Sequence, residues 1–128
     1  MRLLLDTHAL LWWLEGSDRL PARVQETVST HRRTAYVSAI SALELTIKFR
    51  LGKLPTIKPW VHDLRRTLWL QGFLTLDVTL DHAQAAGLLP GDHRDPFDRM
   101  LAAQALSEDM ALVSCDSALD DFGVRRIW

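Results

Sequence analysis

The chain has 128 residues, which is enough for one domain with its own hydrophobic core. Hydrophobic residues make up 48% of the sequence and charged residues 24%, which excludes disordered, collagen-like and low-complexity classes of protein. The formal net charge is −1, and the single cysteine, Cys115, excludes an internal disulfide and a thiol-rich zinc site.

Short apolar segments alternate along the chain with longer segments of helical character. We predict strands at residues 3–5, 35–37, 73–78 and 111–114, and an edge strand at 124–127. We predict helices at residues 7–14, 21–31, 41–50, 59–72, 79–89 and 95–108, most of them bounded by Gly or Pro. This alternation is typical of βαβ units, so we expect one α/β domain over residues 1–128 with a mostly parallel central sheet and helices on both faces.

Neither a membrane span nor an export signal is expected. The longest uninterrupted apolar run has six residues, 9–14, whereas a membrane-spanning helix needs about 20. The leucine run near the start ends at Asp6 and is shorter than the roughly 7–15 apolar residues of a secretory signal. With one thiol and no disulfide, a reducing cytoplasm is the expected compartment.

Four carboxylates lie where predicted strands end or predicted helices begin. Asp6 directly follows the first strand, and Asp116 lies shortly after the fourth. Glu44 and Asp98 lie near helix starts, which share one edge of the sheet with the carboxyl ends of the strands. We therefore expect all four acids at the edge where open parallel sheets bind ligands.

Each of these acids also has a purely structural explanation. The two acids that follow strands could start a turn or cap a helix. Ser41 and Glu44 fit a capping box, in which the glutamate bonds back to the backbone of the cap residue. Asp95 and Pro96 form a good helix start, behind which Asp98 could favour the positive end of the helix dipole.

The set of four acids is more informative than its members. Clustered carboxylates repel one another, and some would take up protons unless a cation lay between them. Ligands that are all oxygen select Mg²⁺ or Mn²⁺, and such an ion can activate water and hold a phosphate. The uneven charge supports an anionic substrate, because residues 1–70 hold 11 Lys/Arg and 6 Asp/Glu while residues 71–128 hold 4 and 10. Solvated helix faces would produce the same unevenness.

Each of the four acids lies in a longer segment with a recognisable pattern. In chain order these segments are residues 3–12 (LLLDTHALLW), 38–45 (SAISALEL), 94–105 (RDPFDRMLAAQA) and 112–116 (LVSCD). They resemble the motifs of the PIN-domain family, specifically the VapC-type toxins of bacterial toxin–antitoxin pairs. The third segment is the most distinctive, and the four occur in the family's order along the whole chain. The family's acidic residues fall on Asp6, Glu44, Asp98 and Asp116, and none is lost.

The resemblance implies a PIN-like three-layer sandwich and a Mg²⁺-dependent endoribonuclease, in which Mn²⁺ could replace Mg²⁺. It also implies a small VapB-like antitoxin whose C-terminal segment blocks the site, and a homodimer that could enter a larger complex with the antitoxin. We expect Asp6 and Asp98 to bind the metal directly. Glu44 and Asp116 would act partly through water or position the attacking hydroxide.

Five residues beside these acids are candidates for accessory roles. Thr7 and Ser117 each follow an acid and could orient it or a metal-bound water, although capping explains them equally well. His8 could line the site, although a structural role is favoured, and Asp95 could be a fifth acid, with capping again favoured. Arg99 could pair with an acid or bind a phosphate.

Two other classes of protein fit parts of the sequence. A phosphoacceptor or phosphatase domain needs an adjacent acidic pair, or an Asp-x-Asp, after the first strand, whereas Thr7 and His8 follow Asp6 here. A non-catalytic, protein-binding α/β module, whose acids only cap helices, predicts no measurable affinity for Mg²⁺. The five histidines have no paired ligand spacing, so zinc is not expected, and basic residues such as Lys48 could contact RNA phosphates.

Overall fold

Five short strands form one sheet in which every neighbouring pair is parallel. In the computed structural model, which describes residues 1–128, the strands are β1 (Leu3–Leu5), β2 (Ala35–Ser38), β3 (Leu74–Leu76), β4 (Ala111–Val113) and β5 (Arg126–Ile127). Their order across the sheet is β3-β2-β1-β4-β5. The predicted parallel sheet is confirmed, and it is parallel throughout.

Six α-helices lie in the connections between the strands. They are α1 (Thr7–Glu15), α2 (Ala22–Thr30), α3 (Ala39–Arg50), α4 (Leu64–Gln71), α5 (Leu80–Leu88) and α6 (Pro96–Ser107). Single-turn and two-turn 3₁₀ segments occupy Arg32–Thr34, Pro55–Ile57 and Ser117–Phe122. None of the helices combines the length and the apolar character that crossing a membrane would require.

The start of α3 differs from the prediction. The helix begins at Ala39, because the hydroxyl of Ser38 accepts a hydrogen bond from the backbone N–H of Ile40 at 3.1 Å and so caps the first turn. Ser41 therefore lies inside the helix, and the predicted capping box between Ser41 and Glu44 does not form. This removes the structural explanation that the sequence offered for Glu44.

The α4 helix and the β3 strand are shorter than predicted. The helix expected from residue 59 begins only at Leu64, because the carboxylate of Asp63 caps it by accepting from the N–H of Arg66 at 3.2 Å. The strand expected over 73–78 spans three residues. Its single neighbour, β2, ends at Ser38 where α3 begins, so β3 has no partner beyond Leu76.

The sheet separates two hydrophobic cores. Successive side chains of β1 point to opposite faces, so that Leu3 and Leu5 belong to the larger core and Leu4 to the smaller. Helices α1, α2 and α4 pack on the larger core, and α6 packs on the smaller. All three leucines are fully buried, as expected for a central parallel strand, and the predicted three-layer sandwich is confirmed.

The direction in which strands are added reverses between β1 and β4. The chain first places β2 and β3 on one side of β1, then returns through α5 and α6 to place β4 and β5 on the other. The register pairs Leu5 with Val113, and the N–H of Asp6 donates to the carbonyl of Val113 at 3.0 Å. Open α/β sheets bind ligands in the crevice at such a reversal, outside the carboxyl ends of the strands.

Candidate active site

All four motif acids line one cavity at this crevice. Its volume is about 400 Å³, the largest in the structure, and only one of its nine lining residues is hydrophobic. The lining residues are Asp6, Thr7, His8, Glu44, Lys48, Asp95, Asp98, Cys115 and Asp116. We call this the acidic cavity. The structure thus brings together residues that are as much as 110 positions apart in the sequence.

Asp6 lies between the end of β1 and the start of α1. Its side chain is buried, and its Oδ1 accepts a hydrogen bond from the N–H of Ala9 at 2.8 Å, so Asp6 caps α1. Burial raises the pKa of Asp6 above its ordinary value, while hydrogen bonds from Ser114 and Ala9 act in the opposite direction. The capping role that the sequence left open is therefore present, and the same carboxylate lines the acidic cavity.

Asp98 projects from the first turn of α6. Asp95 caps this helix, because its Oδ1 accepts from the N–H groups of Phe97 at 2.8 Å and of Asp98 at 3.2 Å. Burial raises the pKa of Asp98, and the negative charges of Asp95 and Glu44 raise it further. Asp95 therefore both caps the helix and lines the cavity, so the two roles weighed for it are compatible.

Glu44 lies in the second turn of α3 and is buried. Its Oε2 accepts a hydrogen bond from Nζ of Lys48 at 2.6 Å, one helical turn further along. This ion pair places a positive charge at the wall of the acidic cavity. It offsets part of the repulsion among the carboxylates and presents a cation to any phosphate that enters.

Ser114 connects two of the acids, which sequence reasoning missed. Its hydroxyl is fully buried, lies near the carboxylate of Asp6 and lowers the pKa of that carboxyl, and accepts from the N–H of Asp116 at 3.1 Å. Asp116 in turn caps the 3₁₀ segment Ser117–Phe122 by accepting from the N–H of Ala118 at 3.0 Å. The one signal in the sequence was a polar residue at the end of an otherwise apolar strand.

His93 is a second residue that sequence reasoning missed. Its Nε2 lies 3.0 Å from Oδ2 of Asp98, and ligand atoms of His93, Asp98 and Asp116 all lie within 4.8 Å of one another. The histidines were set aside because none had a paired ligand spacing. The signal that could have found His93 is its place five residues before Asp98, just ahead of the most distinctive motif.

The predicted accessory residues divide into two groups. Thr7, His8 and Asp95 line the acidic cavity, whereas Arg99 and Ser117 do not. The hydroxyl of Thr7 donates to Oγ of Ser41 at 3.1 Å, so it joins α1 to α3 and is not directed at an acid. His8 is exposed and packs against Trp12, and Ser117 is exposed at the start of its 3₁₀ segment.

Arg99 was predicted to pair with an acid or to bind a phosphate, and the second of these roles stays a prediction. Its guanidinium donates to the carbonyls of Ala86 at 3.0 Å, His93 at 2.9 Å and Gly87 at 3.5 Å, and also to the carbonyl of Leu89. These carbonyls belong to the end of α5 and the loop that follows it. Arg99 pairs with no acid, because its donors are turned to backbone oxygens that would otherwise lack partners.

Most of the chain matches one known protein family. A sequence model described as the PIN domain matches residues 3–124. The chain belongs to the PIN-domain family. The sequence has no significant match among curated proteins.

Solved structures with the same fold come from bacterial toxin–antitoxin systems. VapBC2 of Rickettsia felis, bound to a DNA fragment of its promoter, matches with a TM-score of 0.73 at 15% identity, over 99% of this chain and 98% of that chain. DNA-bound VapBC of Salmonella typhimurium matches with a TM-score of 0.72 at 18% identity, over 99% of this chain and 97% of that chain. A toxin–antitoxin complex of Klebsiella pneumoniae matches with a TM-score of 0.70 at 15% identity, over 98% of this chain and 96% of that chain. These likenesses establish the fold of this PIN domain.

The acidic cavity has the ligands that a divalent cation requires. PIN domains are typically nucleases and generally use divalent metal ions, which supports a hydrolase acting on nucleic acid. Burial disfavours the charged forms of Asp6 and Asp98, so each carboxylate gains from a cation placed between them. Ligand atoms of His93, Asp98 and Asp116 form a group that is compact enough to hold a metal ion, whereas Asp6 and Glu44 line the same cavity but do not belong to that group.

Proposed function

We propose that this PIN domain is a Mg²⁺- or Mn²⁺-dependent endoribonuclease and the toxin of a toxin–antitoxin pair. The observation that carries the proposal is the convergence of Asp6, Glu44, Asp98 and Asp116 on one cavity at the carboxyl edge of the sheet. Carboxylates gathered in one cavity repel one another, and a cation bound among them would stabilise their charged forms. The chemistry that such a cation supports with water and a phosphate is phosphodiester hydrolysis.

Each acid has a separate role in the proposed site. Asp6 and Asp98 would hold the cation directly, and Glu44 and Asp116 would act partly through water or position the attacking hydroxide. When bound, the ion lowers the pKa of water and stabilises the negative charge that develops on the phosphate. The capping bond of Asp6 from Ala9 fixes that carboxylate before any ligand arrives, so little reorganisation is needed on binding.

The substrate and partner follow from charge and from the related complexes. Lys48, paired with Glu44, gives the cavity wall a cation that can contact the RNA backbone without reading its sequence. The solved structures with this fold are complexes with antitoxins, which supports a VapB-like antitoxin that covers the acidic cavity. We further propose a homodimer that works in the cytoplasm, with the antitoxin completing a larger complex.

The test is cleavage of pooled cellular RNA by the purified protein without its antitoxin, with Mg²⁺ or Mn²⁺ and with EDTA. The Asp98→Asn variant is expected to lose about 100-fold or more of the cleavage rate, because it removes a charged ligand of the cation. Asp81→Asn is the matched control, since Asp81 lies exposed in the first turn of the neighbouring helix α5.

Cleavage that EDTA and Asp98→Asn both abolish, and that Asp81→Asn retains, would support the proposal. Cleavage that survives both treatments would reveal a contaminating ribonuclease and remove the support for it. Expression of the parent protein in bacteria is expected to arrest growth, and expression of Asp98→Asn is not. Folded protein that neither binds Mn²⁺ nor cuts RNA would contradict the proposed function.

A further inference from the structure

We propose that His93 is a positioning residue, which holds the carboxylate of Asp98 in the orientation that binds the cation. The inference rests on the proposed metal-dependent activity and assigns to that site a residue outside the four motif acids. It is carried by three features of His93: its contact with Asp98, the direction from which it makes that contact, and the way its ring is fixed.

The contact is the one side-chain hydrogen bond that Asp98 receives. Nε2 of His93 lies 3.0 Å from Oδ2 of Asp98, while Oδ1 has no hydrogen-bond partner. The other charged groups near Asp98 are the acids Asp95 and Glu44, which repel it. An Nε2–H donor therefore occupies one oxygen of Asp98 and leaves the other for a ligand.

His93 reaches Asp98 from outside the acidic cavity. It does not line that cavity, but lines a neighbouring one of about 290 Å³ together with Asp92, Asp121 and Phe122. His93 thus contacts a residue of the acidic cavity without lining that cavity itself. Such a placement is expected of a group that does not bind the metal but hydrogen-bonds to one of its ligands and so orients it.

Both the ring and the backbone of His93 are fixed by neighbouring side chains. Its ring packs edge-on against Phe122, with centroids 5.8 Å apart and an interplanar angle of 80°. Its backbone carbonyl accepts from Nη1 of Arg99 at 2.9 Å, and the guanidinium of Arg99 also lies over the Phe122 ring, 5.5 Å from its centroid. Arg99 and Phe122 together fix the loop and the ring, so the direction of Nε2 is set before a cation binds.

Direct coordination is the competing role for His93, since a ring nitrogen of His93 lies within 4.8 Å of ligand atoms of both Asp98 and Asp116. Nε2 cannot donate to Asp98 and coordinate a cation at the same time. The two roles therefore predict different results for a side chain that keeps an N–H donor but lacks an imidazole nitrogen. Glutamine is such a side chain, because its amide N–H can donate to Asp98.

The experiment compares His93→Phe, His93→Gln and the control His62→Phe. His62 also packs edge-on against a phenylalanine, Phe49, with centroids 6.0 Å apart, but it is exposed and outside the cavity. Mn²⁺ affinity is measured by calorimetry, the Mn²⁺ concentration for half-maximal RNA cleavage is measured in parallel, and thermal melting checks that each variant folds.

We expect His93→Phe to weaken Mn²⁺ binding about 10-fold to 100-fold, the usual effect of removing a group that orients a metal ligand. The Mn²⁺ concentration for half-maximal cleavage should rise by the same factor. His93→Gln should restore most of the affinity, and His62→Phe should match the parent. In nitrogen NMR spectra of the parent, Nε2 of His93 should stay protonated when Mg²⁺ is added.

Parental affinity in a folded His93→Phe variant would overturn the inference. So would a His93→Gln variant as weak as His93→Phe, or loss of the Nε2 proton on addition of Mg²⁺, because either result would indicate direct coordination. These outcomes differ from failure of the proposed function, in which the parent itself binds no Mn²⁺ and cuts no RNA. If His93→Phe does not fold, the glutamine variant and the NMR measurement decide the question.

Discussion

Asp6 has two functions in the structure, because it caps α1 and it lines the acidic cavity. Burial in the folded protein raises the pKa of this carboxyl, so at neutral pH folding leaves a charge where charge is disfavoured. Burial likewise raises the pKa of Asp98, and the negative charge of Asp95 raises it further. The site is therefore destabilising without a cation and stabilising with one, and this property can be measured residue by residue.

Replacing Asp6 with asparagine is expected to raise the melting temperature of the metal-free protein at pH 7. Asparagine caps helices about as well as aspartate, and it carries no charge to bury. The expected gain is roughly 3 °C or more, the shift that about 1 kcal/mol produces in a domain of this size. Asp63→Asn is the matched control, since Asp63 caps α4 but is exposed.

The gain should depend on pH with a definite sign. The folded pKa of Asp6 lies above the unfolded value, so the cost of its charge is complete only above the folded pKa. As pH falls through the folded pKa towards the ordinary aspartate value, the difference between parent and variant should vanish. Saturating Mn²⁺ should reverse the order, because only the parent keeps the ligand. A lower melting temperature for metal-free Asp6→Asn at pH 7 would contradict this explanation.

Among the secondary-structure elements, the connection between α5 and α6 positions a residue that contacts one of the four acids. Arg99, in the first turn of α6, donates to four carbonyls at the end of α5 and in the following loop. That loop carries His93 to Asp98. The position of one site residue thus depends on an arginine that does not line the acidic cavity.

Replacing Arg99 with alanine is expected to lower the free energy of unfolding by about 2–3 kcal/mol. This is the scale for several hydrogen bonds from a charged donor to partly buried carbonyls that then lose their partner. Urea unfolding measures the change, and Arg125→Ala is the control, because Arg125 is exposed and its side chain makes no hydrogen bond. Parental stability together with weakened RNA binding would instead support the phosphate-binding role predicted for Arg99.

At the scale of the whole molecule, the strand order is what assembles the site. The four acids come from the ends of β1 and β4 and from the beginnings of α3 and α6, and the reversal between β1 and β4 brings these ends together. This arrangement could be predicted from the sequence, because acids directly after apolar strands indicate the carboxyl edge of a parallel sheet. The strands themselves were predictable from runs such as Leu3–Leu5, which are buried on both faces.

The parts that could not be predicted depend on side-chain geometry. Helices α3 and α4 begin where Ser38 and Asp63 cap them. In the sequence, Ser41 and Pro59 fitted the start of these helices equally well. The contact of His93 with Asp98 depends on the path of a loop, which no periodic pattern encodes. Ser114 acts on two acids only because β1 and β4 are neighbours in the sheet.

We expect the acidic cavity to hydrolyse RNA with water as the nucleophile, and the oxygen that water supplies can be followed into the products. RNA is cut by the purified protein with Mn²⁺ in isotopically labelled water, and the new ends are analysed by mass spectrometry. Attack by water forms a phosphorus–oxygen bond to solvent oxygen and breaks the bond to the leaving ribose oxygen, which takes up a proton. We expect one solvent oxygen on each new terminal phosphate and no 2′,3′-cyclic phosphate. Cyclic phosphate ends would show attack by the RNA's own 2′-hydroxyl and would contradict it.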